Sequence, residues 1–277
     1  MKTYKRYLCM ILALLMMLPF ASCGGETPDG KTLLLEAMEN TKDYDYEIAV
    51  NAALLQSGVS TDTKIKLDGT KDIKGNNHAL YDLSLTNVNY TGEIYFFNKE
   101  MLLYLQLMDV WMELYLADYF SGLTEDELRN TFAFDIAAML RQDSVLSYTE
   151  PQKDGRYYVF DIYIEDNEET INAFKSEFSS ENETLTDEQY LDIISKIRFT
   201  VKVDRTKKTL TAVSADFTNA FTSMKELFGT EFSELSFDMS FDKAGKTDEV
   251  VLAEGVFENC VSMIELMYML MYPETEH

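Results

Sequence analysis

The sequence predicts an α+β fold built on an antiparallel meander, and three observations lead there. Apolar and polar residues alternate with a period of two along many short runs, as they do in strands with one buried face. Two capping-box patterns, Thr124-Glu125-Asp126-Glu127 and Thr186-Asp187-Glu188-Gln189, each precede a stripe at helical spacing. No strand–helix–strand rhythm appears, which speaks against a parallel sheet.

The elements follow in order. Residues 31–42 read as a helix with Leu34, Leu35, Met38 and Thr41 near one face. From Tyr44 to Leu54 the period changes to two, with Tyr46, Ile48, Val50 and Ala52 on one side; Gln56-Ser57-Gly58 ends the run. Ile65 and Leu67 alternate with Lys64, Lys66 and Asp68, and Lys74-Gly75-Asn76-Asn77 makes a turn. Tyr81, Leu83 and Leu85 form the next strand, and residues 93–97 and 102–105 flank a hairpin turn at Asn98-Lys99-Glu100. The first capped helix carries Leu128, Phe132, Ile136, Met139 and Leu140. A second hairpin joins 145–149 to 157–164 around Gln152-Lys153-Asp154-Gly155. Residues 168–178 read as helical, and the second capped helix carries Tyr190, Ile193, Ile194 and Ile197. Strands return at Phe199 to Val203, Leu210 to Phe217, Leu235 to Phe241 and Glu249 to Ala253, and residues 256–272 read as an apolar helix. The expectation is about nine or ten strands with helices set between them.

The N-terminus carries a different signal. Lys2, Lys5 and Arg6 precede an apolar run from Leu8 to Phe20 that is short for a bilayer span, which needs about 20 apolar residues. Phe20-Ala21-Ser22-Cys23-Gly24 resembles a lipobox, in which the cysteine is acylated and becomes the new N-terminus; Phe20 stands where leucine is preferred. Ordinary cleavage after Gly24 and a retained anchor helix are the competing readings. The lipobox reading makes residues 1–22 a signal peptide, Cys23 the lipidation site, 23–30 a flexible tether, 31–255 the folded domain and 256–277 an apolar C-terminal helix. It places the domain outside the cytoplasm, anchored through its N-terminal lipid to the bacterial cell membrane or outer membrane.

Composition narrows the function. The formal net charge is −24, and removing residues 1–22, with three basic residues and no acid, leaves −27. Such a chain is repelled by nucleic acid and by anionic surfaces, so a nucleic-acid partner is not expected. With Cys9 in the signal and Cys23 lipidated, Cys260 is alone and no internal disulfide can form. Cys260 lies in an apolar stretch and reads as a small buried hydrophobe.

Candidates for chemistry are few. The two histidines are His78, beside a turn, and His277 at the C-terminus, so neither a zinc site nor a histidine-based triad is expected. No glycine-rich phosphate loop exists, no metal or cofactor is expected, and Asp166, Glu168 and Glu169 fail the spacing of a calcium loop and suit a helix start. The expectation is that the protein is not an enzyme. Aromatic residues crowd the middle of the chain, and in Tyr157 to Ile164 both strand faces are apolar. Either a second packed layer or a ligand cavity covers such a face.

The order of elements resembles the LolA-like superfamily of lipoprotein carriers and lipid-binding lipoproteins, and within it a group of Gram-positive-type lipoproteins. The resemblance rests on Leu34 to Tyr46 (helix into strand), Tyr104 to Trp111-Met112, the Val203-Asp204-x-x-x-Lys208 hairpin within Phe199 to Phe217, and Glu249 to Ala253. It covers most of residues 31–255 as a pattern of elements. It implies a curved antiparallel half-barrel with helices covering its concave side and an apolar cavity between them. The apolar tail, 256–272, departs from the pattern. The implied function is to bind, carry or sense a hydrophobic, lipid-like ligand in a pocket lined by Phe96, Tyr104, Trp111, Tyr158 and Phe160. The alternative is a cell-surface interaction or structural lipoprotein with a filled core, whose protein partner the sequence does not name.

Overall fold

The computed structural model describes residues 29–56, 59–107, 110–119, 124–132, 146–165, 167–168, 170–172, 186–221, 230–261 and 265. The signal, Cys23 and most of the tether lie outside them. So do Ile136, Met139 and Leu140 of the first capped helix, all of 173–178 and nearly all of the tail beyond Val261.

One sheet of thirteen strands organises the rest. The strands are β1 (Tyr44–Gln56), β2 (Val59–Lys71), β3 (Asn77–Leu85), β4 (Val88–Phe97), β5 (Leu102–Leu107), β6 (Val110–Tyr115), β7 (Leu146–Tyr148), β8 (Gln152–Asp154), β9 (Tyr157–Ile164), β10 (Arg198–Asp204), β11 (Leu210–Asp216), β12 (Thr230–Asp242) and β13 (Cys260–Val261). Their order is β13-β6-β5-β4-β3-β2-β1-β12-β11-β10-β9-β7, with β8 beside β9. Every pairing is antiparallel except the two-residue parallel pair of β13 with β6. Among the described residues the helices with full bounds are short: α1 (Gly30–Glu39), α2 (Leu116–Tyr119), α3 (Glu125–Phe132) and α4 (Asp187–Lys196). Among the described residues no helix is long and apolar enough to cross a membrane.

The expected meander is there, but the expected half-barrel is not: the sheet is open, neither closed nor strongly curled. Its length explains this. The first meander, β1 to β6, and the second, β9 to β12, join edge to edge through β1 and β12, which pair along twelve residues of β1, Asp45 to Gln56, with one register shift at Ala53/Leu54. One core runs across both meanders, from Ala79 of β3 through β1 and β12 to Ile164 of β9, a smaller one lies at the β4–β5 end, and the described helices divide between the two.

The inner face is readable from the registers. Ile48, Leu67 and Tyr81 share a level across β1, β2 and β3, and two tyrosines face glycines on the next strand: Gly69 stands opposite Tyr46 and Gly92 opposite Tyr81. A Cβ on Gly69 would lie 2.8 Å from the Tyr46 ring, and one on Gly92 2.8 Å from the Tyr81 ring. Each ring lies over the neighbouring strand because that strand has no side chain there. The Tyr81 hydroxyl thereby reaches the Gln106 carbonyl at 2.5 Å, next to the point where β4 and β5 stop pairing.

Helix α1 packs on the β9–β11 end of this face. Asp29 caps it by accepting from the Thr32 N–H at 2.7 Å, and it buries Leu33, Leu34, Ala37 and Met38. Leu35, expected on the buried face, is 36% exposed, and Leu33 takes its place. Thr41 closes the helix by donating to the Ala37 carbonyl and accepting from the Leu210 N–H at 2.9 Å, which ties the helix end to β11. Helix α4 has the full capping box expected of Thr186 and Gln189 and buries Tyr190, Ile193 and Ile194. At the other end, Leu116 and Leu128 from α2 and α3 close over Phe96, Met101 and Leu103.

The turn after β10 has an electrostatic clamp. Asp204 is buried and accepts from the Thr206 and Lys207 N–H groups at 2.8 and 2.9 Å, and Arg156 pairs with it at 2.6 Å. Burial pushes its carboxyl up, but these donors and Arg156 outweigh burial and hold it below its ordinary value of 3.8. A carboxyl with a depressed folded pKa contributes stability above its unfolded pKa and loses it as pH falls through the folded value. Asp204→Asn is therefore expected to lower the urea midpoint at neutral pH, by about 2 kcal/mol of stability. Below roughly pH 4 the wild type should lose stability faster than the variant, and parallel pH profiles would refute this account.

Candidate functional site

The five aromatic residues expected to share a pocket occupy three places. Phe160 is 2% exposed on the inner face of β9, with half-buried Tyr158 two residues before it, packed with α1 and α4. Phe96 is 1% exposed on the inner face of β4, in the cluster closed by α2 and α3. β4 and β9 are separated by six strands. Tyr104 and Trp111 point to the opposite, outer face, where they cluster with Tyr95, Phe97 and Leu102. The structure brings Tyr104 and Trp111 together and keeps Phe96 apart from the Tyr158–Phe160 pair.

The outer cluster is covered by the chain that leaves β12. Residues 243–261 form a strap whose Val250, Leu252, Val256 and Cys260 lie against Tyr95, Tyr104 and Trp111. The expected strand at Glu249 to Ala253 is absent, and the stretch 256–261 is not an α-helix. It contains a 3-10 turn at Phe257–Asn259 and then β13. The reason is where its polar groups go. The Val250 N–H donates to Asp72 Oδ2 at 3.1 Å, and the Thr247 N–H to Asp43 Oδ2 at 3.1 Å. Side-chain carboxylates stand in for a β ladder, so the apolar side chains turn onto the sheet. Asp72 is 1% exposed and also holds its own turn, accepting from the Lys74 and Asn76 N–H groups at 2.8 and 3.0 Å.

Beneath the strap the polar groups are tuned. Burial, then Glu93, pushes Tyr95 up to about 12; burial, then Glu113, does the same to Tyr104. Both phenols stay protonated, and Tyr95 donates to Glu93 at 3.2 Å. Burial, then Glu113, raises the Cys260 thiol, which donates to the Val256 carbonyl at 3.2 Å. His78 stacks on Tyr95 with ring centroids 4.2 Å apart and pairs with Glu93 at 3.1 Å. Among the described residues no group of three or more His, Cys, Asp or Glu is placed to hold a metal ion.

Between the two helix-covered ends, the inner face carries a band that sequence reasoning missed. Ile65, Leu83, Tyr90, Leu105, Leu107 and Val110 follow one another across β2 to β6 and are only half-buried. At its margin Leu85 is 37% and Val88 48% exposed. The signal was present in the alternation itself, since these are the inward positions of their strands. The outer face offers two open grooves instead. One, of about 270 Å³, is lined by Glu47, Thr200, Lys202, Ser214, Asp238 and Ser240 among others. Another, of about 420 Å³, is lined by Lys66, Asp68, Asp82, Thr91, Glu93 and Gln106 among others.

No protein-family model matches the chain, and no curated protein matches it. Among solved structures, LprF from Mycobacterium bovis is 12% identical with a TM-score of 0.38; the match covers 83% of this chain and 99% of that one. A DUF1329 family protein from Desulfovibrio piger is 11% identical with a TM-score of 0.23, covering 84% of this chain and 98% of the other. Agreement at this level bears on neither fold nor function.

Trp111 is the single tryptophan, so its emission reports the strap directly. Asp72→Ala removes the acceptor of three backbone N–H groups and should cost about 3 kcal/mol. In the folded variant, Trp111 emission should shift to longer wavelength as the strap lifts. An unshifted emission with an unchanged urea midpoint would show that Asp72 does not hold the strap.

Proposed function

We propose that the chain is an exported lipoprotein, anchored through Cys23, that binds a hydrophobic, lipid-like ligand against the half-buried apolar band of its inner face. The band is the observation that supports this reading. Six positions on adjacent strands stay partly accessible beside two clusters whose central apolar residues are buried. A contiguous apolar patch left open on a strongly charged protein marks a surface that something apolar covers. Covering apolar surface stabilises by about 25 cal/mol per Å², so an acyl chain laid across a few strands has several kcal/mol to gain before its ordering cost. In this reading the protein binds and does not catalyse.

The outer face supports the second reading, a surface interaction or structural lipoprotein with a filled core. There the aromatic residues that would serve a ligand are already covered by the strap.

One experiment separates the readings, and a second tests the anchor they share. The lipid-free Cys23→Ser chain, examined by native mass spectrometry and by uptake of a fluorescent fatty acid, is expected to carry or take up lipid. Leu83→Glu with Leu105→Glu should then weaken uptake by at least about tenfold, at an unfolding midpoint that stays cooperative. A clean mass with no uptake leaves the second reading standing. Independently, Cys23→Ser should move the protein from the membrane fraction to the soluble fraction of the producing cell, and retention of the variant in the membrane would count against the lipid anchor.

A further inference from the structure

The chain carries a formal net charge of −24, yet one tip of its sheet has the opposite sign. β9 begins where β10 ends, with Tyr157 opposite Asp204. The turn before β9 and the turn after β10 therefore lie side by side. The Arg205 N–H donates to the Arg156 carbonyl at 3.0 Å, and its guanidinium donates to the Gly155 carbonyl at 2.9 Å. Five basic residues meet there, Lys153, Arg156, Arg205, Lys207 and Lys208, against the acids Asp154 and Asp204. Arg156 is partly neutralised by Asp204, and Lys208 by Glu36. Lys153 and Lys207 are exposed and make no ion pair among the described residues. Arg205 is held over the Tyr158 ring at 5.3 Å, which fixes the turn that presents Lys207.

The N-terminal end of the domain lies close by. Gly30 packs so tightly on β9 that a Cβ there would lie 3.0 Å from the Phe160 ring and 3.0 Å from Tyr148. Phe160 is three residues from the start of β9, a rise of about 10 Å. The chain from Cys23 to Asp29 spans about 20 Å when extended. A lipid on Cys23 therefore keeps the basic tip within reach of the membrane surface.

We propose that this tip docks on anionic lipid headgroups of the membrane that carries the anchor. The inference rests on the lipid-anchor reading above. An anionic surface repels the acidic body and attracts the tip, so the two forces act as a couple that turns the domain tip down. Each exposed basic side chain near such a surface contributes roughly fivefold in affinity, and the contact fades as salt shortens the screening length to about 3 Å at molar concentration.

The test uses the acylated full-length mature protein on vesicles of phosphatidylcholine alone or with phosphatidylglycerol added, followed by amide hydrogen exchange. On neutral vesicles the anchor alone holds the protein. Adding phosphatidylglycerol should slow exchange at residues 153–156 and 205–208 by at least about fivefold. Salt, or the double variant Lys153→Glu with Lys207→Glu, should abolish the slowing at an unchanged urea midpoint. Equal exchange on both vesicles, with the protein bound to each, overturns the docking and leaves the anchor intact. Slowing that survives in the folded double variant also overturns it. Failure to stay on neutral vesicles removes the anchor reading and this inference with it.

Discussion

The Asp72 carboxylate accepts from the turn that joins β2 to β3 and from the strap that crosses the outer face, and much else depends on that double duty. A buried carboxylate is costly unless donors surround it, and here backbone N–H groups and the Asn76 amide do so. The arrangement binds two segments almost 180 residues apart in sequence, and gives the buried Val250 N–H its acceptor. With the strap in place, Tyr95 and Tyr104 can sit in an apolar layer with their phenols protonated. Asp43 repeats the device one step along, taking Thr247 of the same strap. The outer layer is thus held by polar contacts at one margin and by apolar packing over its centre.

This explains how much of the molecule could be read from its residues. Strands with one wet face announced themselves, as Leu235 to Phe241 and Tyr44 to Ala52 do, because the period of two is imposed by burial on one side. The second capping box was legible because its chemistry is local. The strap was not. The apolar run Val250-Val251-Leu252-Ala253 reads as a strand, and only the distant Asp72 and Asp43 decide that the strap's backbone pairs with carboxylates instead of a neighbouring strand. Leu33 and Leu35 show the same limit on a small scale, since helical spacing admits either face and packing against β9 to β11 chooses.

The candidate site was legible as composition and not as place. Aromatic residues at 95–97, 104 and 111 do mark a region with two apolar faces. The parity of each residue in its strand then sends Phe96 to one side and Tyr95, Tyr104 and Trp111 to the other, and the half-buried band of the inner face is mostly aliphatic and lies further along the same strands. What separates Phe160 from Phe96 is the order of the strands, and that order rests on the pairing of β1 with β12, which no local pattern reveals.

That pairing has a consequence for how the molecule comes to be folded. β12 is delivered late in the chain, yet it lies at the middle of the sheet, between β1 and β11. A polypeptide that emerges from its N-terminus presents β1 to β6 first, and the thirteen residues of β1 then have one edge without a partner until residues 230–242 arrive. A long, regular strand edge is an invitation to any other extended chain. The interval between the emergence of β1 and that of β12 is therefore the period of greatest exposure to misassembly, and closing it requires contacts of very high sequence separation, which form slowly.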